Sequence, residues 1–114
     1  MGAVTITIHS TEYFTDRVKA AFAGKRQPDR ISFESIDLLW KVLAPNRMAL
    51  VQTLTGAGPV TLREAARRVG RDVRAVHSDV HLLLQAGVLR KNDEGRIEFP
   101  YTAVHVDFML KTAA

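Results

Sequence analysis

Residues 4–9, VTITIH, alternate β-branched apolar and polar side chains, which predicts a half-buried strand. Ser10 or Thr11 then caps a helix over TEYFTDRVKAAFAG, with Phe14, Val18, Ala21 and Phe22 on one stripe and Gly24 as its stop. KRQPDR, residues 25–30, is polar and holds a proline, so it reads as a loop. ISFES adds a short extended piece, after which Ser35 or Asp37 starts a helix through Leu39, Trp40 and Leu43. Pro45 suits the first turn of a new helix, because its missing N–H is not needed there. That helix turns Leu50, Val51 and Leu54 inward and ends at GAGP. Thr61 with Glu64 three residues later has capping-box spacing and opens TLREAARRVG, which Gly70 closes.

GRDVRAVHSDVHLLLQAGVL, residues 70–89, predicts a longer helix with Gly87 as its stop. At about 100° per residue, Val73, Val76, Val80, Leu83 and Leu84 fall in one arc and form the buried face. Arg71, Arg74, Ser78 and Gln85 lie on the far side, with His81 beside them and His77 nearer the core edge. Asp79 flanks the apolar arc on its other side, and Leu82 falls near the middle of the exposed face. VLRKNDEGRIEF is a hairpin pattern: NDEG makes the turn, and Ile97 and Phe99 lie on the return strand. Pro100 breaks it. Val104, Val106 and Phe108 then alternate in a last strand, whose natural mate is the strand of Val4, Ile6 and Ile8.

Helix, short helix, tight turn, longer helix and hairpin make up the layout of a winged helix-turn-helix. The fold expected is therefore α+β: a winged helix-turn-helix over residues 31–114, including the C-terminal strand. A strand–helix arm over residues 1–30 precedes it, for dimerisation or partner binding.

A chain of 114 residues with 46% apolar and 25% charged residues suffices for one globular domain. The absence of cysteine excludes disulfides, thiolate chemistry and cysteine-bound zinc. No apolar run reaches the roughly 18 to 20 residues that span a bilayer, and MGAVTITIHS lacks the basic start of a signal peptide. The location expected is cytoplasmic. Charge adds more. Residues 61–91 hold seven Arg and Lys against three Asp and Glu, an excess equal to the whole net charge of +4. A concentrated excess beside a neutral body has two readings, a polyanion-binding surface or a solvated helix face.

HSDVH, residues 77–81, has the look of three metal ligands in a row. Helical phase separates Asp79 from the two histidines, and the glutamate of a HExxH zinc helix is missing. No metal and no cofactor is expected. No glycine-rich phosphate loop, paired-carboxylate cleft or nucleophile elbow is visible, so catalysis is not expected either. The exposed face instead carries guanidinium, hydroxyl, amide and imidazole groups, which hydrogen-bond phosphates and base edges. Double-stranded DNA is the partner this surface predicts. Arg71, Arg74, Ser78, His81 and Gln85 would meet the major groove. Thr61 and Arg63 would anchor the bracing helix at phosphate, and Arg90, Lys91 and Arg96 would serve the wing. His77 either touches DNA or packs at the edge. Leu82 is either a thymine-methyl contact or a lone surface leucine.

TLREAARRVGRDVRAVHSDVHLLLQAGVL resembles the core of MarR-like winged-helix regulators, where S-x-x-E-L-A-x-x-x-G precedes a recognition helix and a G-L-V strand. It departs from that pattern by an alanine for the usual leucine and by Val88-Leu89 for the Leu-Val pair. LLWKVLAPNRMALVQTL and IEFPYTAVHVDFM are similar to a narrower group of short prokaryotic regulators, so the resemblance covers residues 31–109. It implies a homodimeric, sequence-specific repressor of its own operon. Some members of that group are similar to antitoxins, which implies an alternative: neutralising a cognate toxin protein by direct binding, with autoregulation.

Overall fold

Capping chemistry sets where the helices begin and end. A computed structural model of the chain describes residues 2–8 and 29–109. The helix expected over residues 10–24, with its stripe of Phe14, Val18, Ala21 and Phe22, lies outside the described residues, as does most of the loop that follows. Helix α1 spans Ile36–Val42. Of the two starts open in the sequence, Ser35 is the cap: it is extended, and its hydroxyl accepts the Leu38 N–H. Helix α2, Pro45–Leu54, has no side-chain cap and begins on proline, as the sequence predicts. Thr61 caps α3, Leu62–Val69, by accepting the Glu64 N–H at 3.1 Å. Gly70, at φ 69°, ends α3 in the left-handed conformation that side chains with a Cβ disfavour. Asp72 caps α4, Val73–Gln85, by accepting the Arg74 N–H. Past its end, the N–H groups of Val88 and Leu89 both return to the Leu83 carbonyl.

Strand β1, Ala3–Ile8, is the middle of a three-stranded sheet in the order β2-β1-β5. Both neighbours, β2 at Arg30–Phe33 and β5 at Ala103–Asp107, run parallel to it. The pairing expected between the terminal strands is present, with Val4 beside Val104 and Ile6 beside Val106. On the other side Ile31 stands next to Ile6 and Phe33 next to Ile8. One face of the sheet is thus apolar across all three strands. A separate antiparallel hairpin joins β3, Arg90–Lys91, to β4, Ile97–Glu98. The Asn92 side chain closes its turn by accepting the N–H groups of Glu94 and Arg96. Val60 and Ile97 exchange backbone hydrogen bonds of 2.9 and 2.8 Å, tying the hairpin to the start of α3.

The architecture is α+β. One core cluster contains Val4 and Ile6 of β1, Leu39 of α1, Leu50 and Leu54 of α2, Val76 and Leu83 of α4, and Phe99. Each is at most 1% exposed, a burial that contributes about 1.5–3 kcal/mol per large side chain as an upper bound. Helices α2, α3 and α4 pack on one another, so the inner stripe of α4 fixes which residues its outer face shows. Two positions depart from the helical wheel. Val73 is 40% exposed, because the first residue of α4 has little packed over it, whereas Asp79 is buried at 9%. Among the described residues no helix is long and apolar enough to cross a membrane.

Candidate functional site

The outer face of α4 presents Arg74, His77, Ser78, His81 and Gln85 to solvent. Ser78 donates to the Arg74 carbonyl at 3.3 Å, a long bond within its own helix. The rings of His77 and His81, one helical turn apart, are nearly parallel, 8° apart in plane with centroids 6.5 Å apart. Both lean toward the hairpin and line a small cavity of about 110 Å³ with Leu62, Lys91 and Gly95. Both histidines therefore border the hairpin; His77 does not sink into the core edge.

Asp79 stands on the opposite flank of α4, as its phase predicts, but it is not a surface residue. Arg47 Nη1 reaches its Oδ1 at 3.2 Å, and Arg71 Nη1 reaches its Oδ2 at 2.7 Å. Arg47 also donates through Nε to the Val42 carbonyl at 2.6 Å and through Nη2 to the Lys41 carbonyl. One carboxylate thus joins α4 to the start of α2 and to the turn after α3, and Arg47 extends the link to the end of α1. Arg71 is corrected by this geometry: its guanidinium folds back onto Asp79 and does not stand on the outer face with Arg74. The third member of HSDVH is likewise spent on two guanidinium groups.

Other cations are also paired. Glu64 accepts from Arg67 and from Arg68 at 3.1 Å, and these hydrogen bonds hold its carboxyl well below the usual range, at about 2. Its carboxylate turns to those arginines, so only the Thr61 half of the capping box is seen. Arg90 pairs with Glu98 across the hairpin at 3.0 Å. Arg96 sits 4.0 Å from Glu94, both well exposed, a separation at which a surface pair contributes little. Among the described residues, Arg63, Arg74 and Lys91 have no ion pair and no side-chain hydrogen bond.

The predicted residues therefore split. Arg74, Ser78 and His81 share the outer face of α4, with Lys91 on the hairpin beside the His81 end and Arg63 exposed on α3. Gln85 lies at the far end of the helix, roughly 16 Å along its axis from Arg74 at 1.5 Å per residue. There it lines a groove with Phe33, Leu38 and Leu82. Leu82 is half-buried against the core in that groove and is not a lone surface leucine. Arg47 is the residue the sequence reading missed. Its partner is 32 positions away, and only Asp79 beside an apolar arc hinted that a cation must come to meet it.

No curated protein and no solved structure matches the chain. A model of one protein family, HVO_A0114, matches residues 42–106. The matched span runs from the end of α1 through α2, α3, α4 and the hairpin into β5, so it contains the whole exposed basic face. It covers more than half of the sequence, and the chain belongs to the HVO_A0114 family.

Proposed function

We propose that this chain is a winged helix-turn-helix protein of the MarR-like kind that binds double-stranded DNA as a homodimer and represses its own operon in the cytoplasm. The observation that supports this reading is the arrangement of groups that no ion pair engages. Arg74, Ser78 and His81 share the one face of α4 that the core leaves open, and Lys91 of the hairpin stands alongside. Internal ion pairs engage Arg67, Arg68, Arg71 and Arg90, but not Arg63, Arg74 or Lys91. A helix of this length fits a major groove, and a hairpin next to it reaches the flanking phosphates. Arg71 acts in this reading from behind, by holding Asp79 and so the pitch of α4.

The test is a gel shift with the gene's own upstream region at two salt concentrations. Specific binding falls steeply with salt, and removing a cation that neutralises one phosphate lowers the log–log slope by about 0.9. Arg74→Ala weakens binding by roughly 1–3 kcal/mol for the preferred site and less for scrambled DNA. Lys91→Ala weakens both alike. Binding that ignores salt and sequence would remove the proposal.

A further inference from the structure

Among the described residues, strand β5 has one bonded edge and one open edge. The Thr5 N–H donates to the Asp29 carbonyl at 3.1 Å, so Thr5 and Thr7 direct their backbone groups toward β2. By alternation Val4 and Ile6 direct theirs toward β5, where Ala103, His105 and Asp107 take them up in the observed parallel register. The N–H and C=O groups of Val104 and Val106 consequently point outward, and no described strand pairs with that edge. Such an edge is a template for another strand. The side chains add to it: Val106 is 41% and Met109 75% exposed, large apolar groups that the described residues leave open to solvent.

We infer that β5 pairs antiparallel with β5 of a second copy of this chain, about a two-fold axis through Val106. The register follows from the residues. With Val106 opposite itself, Val104 faces Phe108, Ala103 faces Met109, and His105 faces Asp107, each pair occurring twice. Every apolar residue meets an apolar residue, and each imidazole meets a carboxylate. Centring on His105 would set the two histidines against each other and Ala103 against Asp107. Centring on Asp107 would oppose two carboxylates, which destabilises a sheet. The backbone agrees with the favoured register, since Val106 opposite Val106 brings two outward-facing residues into a hydrogen-bonded pair. The apolar side of β5 also borders an open groove of about 380 Å³ against Met48 and Val51 of α2, where the paired valines continue the sheet's buried face. The result is a continuous six-stranded sheet across the dimer. This inference deepens the homodimer in the proposed function, but its evidence lies outside the DNA-facing surface.

The test is the oligomeric state of the full chain without DNA, by light scattering coupled to size exclusion, with circular dichroism as a folding control. Wild type is dimeric, and Val106→Lys, which sets two ammonium groups face to face, is a folded monomer. His105→Asp puts carboxylate against carboxylate and raises the dimer dissociation constant at least tenfold. Adding Asp107→His to that variant exchanges the partners and restores dimerisation. The exchange carries the register, because a merely structural role gives no reason for recovery. A monomeric wild type, a dimeric Val106→Lys or a failed exchange each overturns the inference. None of these outcomes requires DNA, so the dimer and the DNA reading stand or fall separately.

Discussion

Removing the Asp79 carboxylate is the sharpest perturbation the fold offers. In Asp79→Ala two guanidinium groups lose their shared anion, and both sit in largely enclosed sites, with side chains 19% and 27% exposed. Breaking a buried pair by deleting one partner costs about 3–5 kcal/mol when the remaining charge has no alternative. Here there is one. Arg47 keeps the carbonyls of Val42 and Lys41, and Arg71 is exposed enough to swing into water. The expected loss is therefore roughly 2–3 kcal/mol, a large share of a stability of about 5–15 kcal/mol. Arg71→Ala leaves the Arg47–Asp79 contact in place and costs about 1 kcal/mol. In urea unfolding followed by circular dichroism, the midpoint falls for both variants while the slope stays constant. In a double-mutant cycle the double variant costs about 1 kcal/mol less than the sum of the singles, because Arg71→Ala does little once Asp79 has gone. An Asp79→Ala variant within about 0.5 kcal/mol of wild type, the range of neutral surface changes, would refute this account of Asp79. So would an Arg71→Ala that is neutral for stability yet lowers the salt slope of DNA binding, since that would return Arg71 to the outer face.

Two further substitutions have expected outcomes. Glu64 has its carboxyl lowered from 4.5 to about 2 by the hydrogen bonds of Arg67 and Arg68. A lowered folded value means stability that is present above 4.5 and fades as the pH falls toward 2, so wild type and Glu64→Gln converge in thermal stability across that window. The same substitution frees two guanidinium groups, so affinity for non-specific DNA and its salt slope both rise. Gly70→Ala forces a Cβ into φ 69° with no neighbour in the way, so the penalty is backbone strain alone, about 1–2 kcal/mol as a lowered melting point.

Much of this was legible in the sequence because it rests on local chemistry. Thr61, Pro45 and Gly70 mark helix ends through interactions within a few residues, and each stands where its chemistry requires. The alternation of Val4, Ile6 and Ile8 and of Val104 and Val106 likewise encoded two strands that pair, of which β1 is half-buried and β5 largely exposed. Long-range electrostatics was not legible. A helical wheel places Asp79 beside the apolar arc but is blind to Arg47, which comes from another helix. It also gives Arg71 a direction from its Cα, although a long side chain can fold back across the turn. The wheel assumes a helix buried evenly along its length, which fails at both ends of α4: Val73 is exposed, and Leu82 and Gln85 meet β2 and α1. ISFES carried no sign of its partner, since parallel pairing to β1 depends on a crossover that local pattern does not reveal.

The position of β1 in the middle of its sheet also governs the order in which the molecule can assemble. Val4 and Val104 are neighbours although 100 residues of chain separate them. The helical layers and the hairpin, by contrast, are closed by contacts over shorter stretches of sequence, between Pro45 and Phe99. During synthesis the helices can collapse first. Strand β1 then waits with its β5 edge unpaired until Ala103–Asp107 has been made, a topology that slows folding through its loop-closure entropy. Deleting Ala103–Asp107 accordingly harms solubility more than its small loss of core suggests, because it strands β1 without the partner that covers its backbone.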